Sequence, residues 1–135
     1  MFMKMNSMIN NFSVVIPVFN EEEIFLESAD KIFNICQEMN MPFEIIFSEN
    51  GSLDNTKNLI HAFIEDKDNC FTINSNYANY GLALKNGFEI AKNDIVISFD
   101  IDYFSKKFLK QSLELDENFV ALVASKRLNE SEDER

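Results

Sequence analysis

Five short runs of apolar, largely β-branched residues are spaced along this chain, and the stretches between them carry apolar residues at helical intervals. The runs are Ser13 to Val18 (SVVIPV), Phe43 to Ser48 (FEIIFS), Cys70 to Ile73, Ile95 to Phe99 and Phe119 to Ala124. Runs this short and this poor in polar residues are the pattern of strands covered on both faces. From Glu22 to Met39, the residues Phe25, Ile32, Ile35, Cys36 and Met39 share a helical face. Leu59, Ile60, Phe63 and Ile64 do so in the next interval; Leu84, Phe88 and Ala91, then Phe108, Leu109 and Leu113, repeat the pattern. Connections of this length exclude hairpins, so the expected fold is α/β, a mostly parallel sheet with helices on both faces. A chain of 135 residues fits one domain. We expect a flexible lead-in over 1–11, the domain over 12–128 and a polar tail over 129–135.

Charge narrows the partners. Twenty-three acidic residues against twelve basic ones give a net charge of -11, which repels a phosphate backbone and leaves no basic stripe, so nucleic acid is excluded as a partner. Cys36 and Cys70 sit among apolar residues without CxxC or Cys/His spacing, the context of reduced core thiols, and this points to a cytoplasmic location. The stretch from Met1 to Asn11 has no apolar run of signal-peptide or membrane-span length. The lone histidine, His61, lies mid-helix, where a surface role is expected, and no Ser-His-Asp or Cys-His set can be assembled around it.

In a parallel sheet, ligands sit beyond the carboxyl ends of the strands, and polar clusters fall at those ends. The first is Pro17, Val18, Phe19, Asn20 and Glu21 (PVFNE), where Pro17 ends a strand. An aromatic beside Asn and Glu suits a nucleobase, although helix capping alone also accounts for the acids. The second, Glu49, Asn50, Gly51, Ser52 and Asp54 (ENGSxD), reads either as an Asn-Gly turn followed by a helix cap or as hydrogen-bonding groups for a base or ribose edge. Asn79, Gly81, Ala83, Lys85 and Gly87 begin the third helix with small residues that allow close backbone approach to a phosphate. This spacing is neither GxGxxG nor GxxxxGK[ST], which lowers support for dinucleotide folds and P-loops. Asp100 and Asp102 form a DxD past the fourth strand, hard oxygen ligands suited to Mg²⁺ or Mn²⁺ on a diphosphate.

Taken in order, PVFNE, ENGSLDNT, NYGLALKNG and ISFDID resemble the motif series of family 2 glycosyltransferases of the GT-A fold, whose nucleotide-binding half is Rossmann-like. The likeness runs from Phe12 to about Arg127 and is nearest to the branch that charges dolichyl or polyprenyl phosphates. It implies metal-assisted, inverting transfer of a sugar from a nucleoside diphosphate sugar, with a lipid phosphate as the acceptor in that branch. It also implies that Pro17, Phe19 and Glu21 surround the nucleoside, that Glu49 meets the base or ribose, that Asp100 approaches ribose and metal, and that Asp102 ligates the metal. Asn20, Asn50, Gly51, Ser52, Asp54, Asn79, Gly81 and Lys85 complete the expected binding set. The family's second acid after strand two is Asn50 here, and Tyr103 follows the DxD.

Family members continue past a VxxGSR-like strand, VALVASKR here, into a half that binds the acceptor and often supplies a base. No general base is identifiable in this chain, so the catalytic residue is left open. A lipid phosphate acceptor, already anionic, would need none. The readings kept open are an enzyme completed by another chain or by self-association, a natural half-domain or fragment that binds nucleotide sugar without catalysis, and an unrelated doubly wound receiver-like or flavodoxin-like module. Exposed apolar surface on such a half would favour a homo-oligomer.

Overall fold

The computed structural model describes residues 10–114 and 121–124, the last four as backbone only. The expected tail and most of the expected lead-in lie outside them. In chain order the elements are β1 (Phe12–Val18), α1 (Phe25–Gln37), β2 (Phe43–Asn50), α2 (Thr56–Ile64), β3 (Cys70–Ser75), α3 (Tyr80–Ile90), β4 (Ile95–Phe99), α4 (Lys106–Leu113) and β5 (Ala121–Ala124). The strands form one sheet in the order β3-β2-β1-β4-β5, and every adjacent pair is parallel. Phe119 and Val120, expected in the fifth strand, fall outside the described residues.

Alternation along the strands explains the two faces. Phe12, Val14, Ile16 and Val18 of β1 point the same way as Ile45 and Phe47 of β2 and Ile95, Ile97 and Phe99 of β4, and all are buried in one core with Phe25, Ile32, Ile60, Phe63 and Leu109. Helices α1, α2 and α4 therefore cover this face. Its filling is aromatic: Phe25 meets Phe47 edge-on at 5.1 Å and Phe63 at 6.0 Å, and Phe99 meets Phe108 edge-on at 5.6 Å. Burying each such ring contributes about 1.5–3 kcal/mol.

The opposite face receives α3, and here the structure departs from the expected apolar stripe of Leu84, Phe88 and Ala91. The residues that α3 buries are Ala83 and Gly87. A Cβ built on Gly87 would lie 2.4 Å from Val15 Cγ1, so the missing side chain is what lets the helix rest directly on β1. The Ser48 hydroxyl, on the same face of β2, donates to the Ala83 carbonyl at 2.7 Å.

At the amino-terminal rim the buried Glu44 accepts from the Ser13 hydroxyl at 2.6 Å and from the Lys92 amide at 2.8 Å, and Asn93 Nδ2 donates to the Phe12 carbonyl at 2.8 Å. These bonds fix the loop that delivers β4 beside β1. The β1–β4 ladder then runs only from Phe12–Ile95 to Val15–Ser98. Beyond it β1 stays with β2 as far as Val18–Glu49, and β4 stays with β5 as far as Phe99–Ala124. Pro17 lies in the parted stretch, where a residue with no N–H to give a ladder is tolerated.

Among the described residues no helix is long and apolar enough to cross a membrane.

Candidate functional site

With the strands in this order, β1 and β4 are the neighbours at which the winding of the sheet reverses, and the crevice beyond their carboxyl ends is the ligand position such sheets favour. The loop after β1 carries Phe19, Asn20 and Glu21, and the turn after β4 carries Asp100 and Asp102. The expected PVFNE and DxD clusters thus flank that crevice, with ENGSxD one strand further along the same rim.

The first two loops are tied together by paired hydrogen bonds. Asn20 donates its main-chain N–H to Ser52 Oγ at 2.8 Å and accepts the Leu53 N–H on Oδ1, also at 2.8 Å. It does so from a left-handed backbone, φ 52°, a conformation that Asn tolerates better than most residues. The Glu21 N–H donates to Thr56 Oγ1 at 2.8 Å, and the Asn55 N–H donates to Glu22 Oε1 at 2.9 Å. Asp54 accepts from Thr56 N–H on one oxygen and from Glu22 N–H on the other. Its carboxyl lies below the usual Asp range, because slight desolvation, which raises it, is outweighed by these bonds and one from the Thr56 hydroxyl. The sequence offers Ser52 or Asp54 as the cap of α2; the N-cap position is Asn55, which makes no side-chain cap bond, while Asp54 takes the Thr56 amide from one residue earlier. Phe19 stands out of this lattice, 40% exposed.

Strand β2 runs two residues beyond its expected end, so Glu49 and Asn50 belong to it, and both are buried. Glu49, 2% exposed, accepts the Ser52 N–H at 2.9 Å on Oε2 and the Gly51 N–H at 3.2 Å on Oε1. Its carboxylate holds the turn and has little open surface from which to meet a base. Asn50 Oδ1 accepts the Asn79 N–H at 2.6 Å, so the amide that replaces the family's second acid tethers the start of α3. Gly51 has φ 73°, and a Cβ on it would lie 2.5 Å from the Tyr77 carbonyl carbon. The turn is therefore pressed against the β3–α3 loop.

Asn79 caps α3 by accepting the Leu82 N–H at 3.0 Å. Gly81 is exposed, and a Cβ there would meet only Asn79 Oδ1 at 3.7 Å, so protein packing does not require this glycine and space lies over it. Ala83 and Gly87 serve the contact with the sheet. Lys85 is exposed on the second turn, with Nζ 4.0 Å from Glu89 Oε2.

Asp100 and Tyr103 close a tight turn through the Tyr103 N–H to Asp100 carbonyl bond of 3.1 Å, with Ile101 buried beneath it and Asp102 exposed. A small cleft of about 180 Å³ runs between this turn and α1, lined by Asp102, Tyr103, Ser28 and Lys31 among others. The Tyr80 hydroxyl donates to Asp100 Oδ1 at 2.9 Å. Through Tyr80, Asn79 and Asn50 the DxD turn is linked to the end of β2, and the rim forms one connected unit. Sequence reasoning leaves Tyr80 out of the site, and with it Thr56 and Glu22, although Thr56 closes the ENGSLDNT motif and Glu22 follows PVFNE directly. Tyr80 lies inside the NxG motif, but nothing in one sequence couples it to Asp100.

No group of three or more His, Cys, Asp or Glu side chains gathers as a metal cage among the described residues. Asp100 and Asp102 supply hard oxygen donors of the kind that suits Mg²⁺ or Mn²⁺ when its remaining ligands come from a diphosphate and water.

The family model described as glycosyl transferase family 2 matches residues 13–135. The undecaprenyl-phosphate 4-deoxy-4-formamido-L-arabinose transferase of Proteus mirabilis is 34% identical over 97 residues, 70% of this chain and 29% of that protein. The enzyme of the same name from Serratia proteamaculans matches equally, and that of Yersinia pestis is 33% identical over 103 residues, 74% of this chain and 31% of the relative. The chain thus spans less than a third of the length of these relatives. Its motifs, its parallel sheet and the match over nearly its whole length agree: the chain belongs to glycosyl transferase family 2.

Proposed function

We propose that the carboxyl rim of the sheet binds a nucleoside diphosphate sugar, and that the sugar is transferred with inversion to a polyprenyl phosphate at the cytoplasmic face of a membrane. The observation that carries this reading is the joining of the β1 loop, the β2 turn, the start of α3 and the DxD turn into one hydrogen-bonded rim at the sheet's reversal point. Relatives whose names specify undecaprenyl phosphate support the choice of acceptor.

In this reading Phe19 offers an exposed ring for a nucleobase, and Pro17 and Asn20 hold the chain that carries it. Glu49, Asn50, Gly51, Ser52 and Asp54 shape the floor, and Glu21 stands over its edge. Gly81 leaves room for a phosphate at the start of α3, with Asn79 ordering that first turn. Asp100 and Asp102 are the residues that would hold Mg²⁺ or Mn²⁺. When bound, such a cation neutralises charge on the leaving diphosphate. An acceptor phosphate is ionised at neutral pH, so attack needs no proton removal by this chain.

Calorimetry with UDP and GDP, with and without Mn²⁺, tests donor binding. Metal-enhanced binding of one of them, lost in Asp102→Asn, is the expected result. Absence of binding to either nucleotide in both conditions sinks the reading. Sugar transfer to undecaprenyl phosphate in a radiolabel assay separates the enzyme from a binding module.

A further inference from the structure

Tyr80 is the first residue of α3 and reaches the DxD turn twenty residues away. The residue is 45% exposed, so it is not a core filler, yet its base is rigidly held. The residue before it is tethered to Asn50 and caps Leu82, and the helix that follows rests on Val15 without an intervening side chain. A phenol fixed in this way has one proton to donate, and it donates it to Asp100. Replacing Tyr by Phe would keep the ring and remove the hydroxyl that makes that bond.

We propose that Tyr80 is a positioning residue for the cation-binding carboxylate: its hydroxyl fixes the orientation of Asp100, so that the DxD meets a nucleotide-bound divalent cation with its first carboxylate already set. This rests on the donor-site reading above. The physical reason is general. A carboxylate free to rotate must be ordered when the metal arrives, whereas one held by a donor on a rigid element has been ordered by folding, and partners of this kind are typically worth 10- to 100-fold in metal affinity. Because the Tyr80–Asp100 bond is open to water, the low end of that range applies.

The test is a Mn²⁺ titration followed by electron paramagnetic resonance, in saturating UDP or GDP, on the full chain and on Tyr80→Phe, Asp100→Asn and the double variant. Binding is counted beyond what the nucleotide alone retains. Tyr80→Phe is expected to weaken Mn²⁺ binding about 10-fold, with thermal midpoint and metal-free nucleotide affinity unchanged. In the Asp100→Asn background the same substitution is expected to change nothing further. A Tyr80→Phe affinity within twofold of the parent, or a loss of equal size in the Asp100→Asn background, overturns the proposal while leaving the donor site standing. A parent chain that binds the nucleotide but adds no Mn²⁺ binding overturns the proposal and leaves the donor site standing; one that binds neither nucleotide defeats both. A lowered thermal midpoint in Tyr80→Phe with unchanged Mn²⁺ affinity assigns the bond to stability and also rejects the proposal.

Discussion

The main-chain N–H of Asn20 donates to the Ser52 hydroxyl at 2.8 Å across 32 residues of sequence, and this bond, with its return from Leu53 N–H to Asn20 Oδ1, joins the loops after β1 and β2. Asn20 supplies two things at once: an acceptor, and tolerance of φ 52°. Asn20→Ala removes both and is expected to destabilise by about 2–3 kcal/mol, from a left-handed penalty of roughly 1–2 and a lost bond of about 1. Asn20→Gly removes only the acceptor and should cost about half as much. Urea midpoints decide it; equal losses in the two variants would show that the backbone conformation is not a cost.

Gly51 is the tightest glycine in the turn. With φ 73° and a would-be Cβ at 2.5 Å from the Tyr77 carbonyl carbon, an alanine there meets backbone, which has no rotamer in which to yield. Gly51→Ala is expected to cost about 2–4 kcal/mol and to weaken nucleotide binding as well, since both loops it separates lie on the rim. Denaturant titration beside calorimetry checks both effects. An alanine variant as stable as the parent would contradict the described packing.

Val15 and Gly87 form a size-matched pair. Gly87→Ala gains about 1 kcal/mol of helix propensity but places a methyl 2.4 Å from a stiff β-branched side chain in a central strand. Overpacking, about 1–3 kcal/mol, is expected to win or to cancel the gain. Adding Val15→Ala vacates the space, so the double variant should be more stable than the sum of the singles by about 1 kcal/mol or more. Strict additivity in the double-mutant cycle would mean that α3 does not rest on β1 at this point.

The buried thiols set an alkaline limit. Burial pushes Cys70 up to about 12 from an ordinary 9.0, with Lys67 lowering it and Asp66 and Asp68 raising it, and burial together with the nearby Cys70 raises Cys36. In each case the folded pKa lies above the unfolded one, and the neutral form is the one folding favours. The contribution is therefore complete below about pH 9 and is lost as pH rises through the window from 9 to about 12 for Cys70. The stability advantage of the parent over Cys70→Ala should shrink between pH 8 and pH 10.5, read as a narrowing gap in urea midpoint. A gap constant over that range would show that the thiol ionises equally well in the folded state.

The strands were legible because each is an apolar run bounded by polar residues, and β4 was placed to the residue. Strand β2 extends further because the side chains of Glu49 and Asn50 are satisfied internally, by two amides of the following turn and by the Asn79 N–H; single-sequence patterning prices them as solvent-facing. The stripe on α3 was misread for the converse reason. Leu84 and Phe88 are the larger side chains, but closeness to the sheet selects the smallest, Ala83 and Gly87. The rim motifs announced themselves by composition and position. The bonds that assemble them, between residues 20–22 and 52–56 and between Tyr80 and Asp100, join points distant in the chain and leave no periodic trace.

Where β1 leaves β4, the sheet becomes a two-pronged fork. One prong is β1 with β2 and bears Phe19 and the ENGS turn; the other is β4 with β5 and bears the DxD. The two prongs share a root at Val15–Ser98, and strand pairing does not join their tips. A molecule touching both tips adds a second bridge to the one that Tyr80, Asn79 and Asn50 already make, so occupancy of the crevice should be felt first as slower amide exchange at the ends of these strands, before any change in the core.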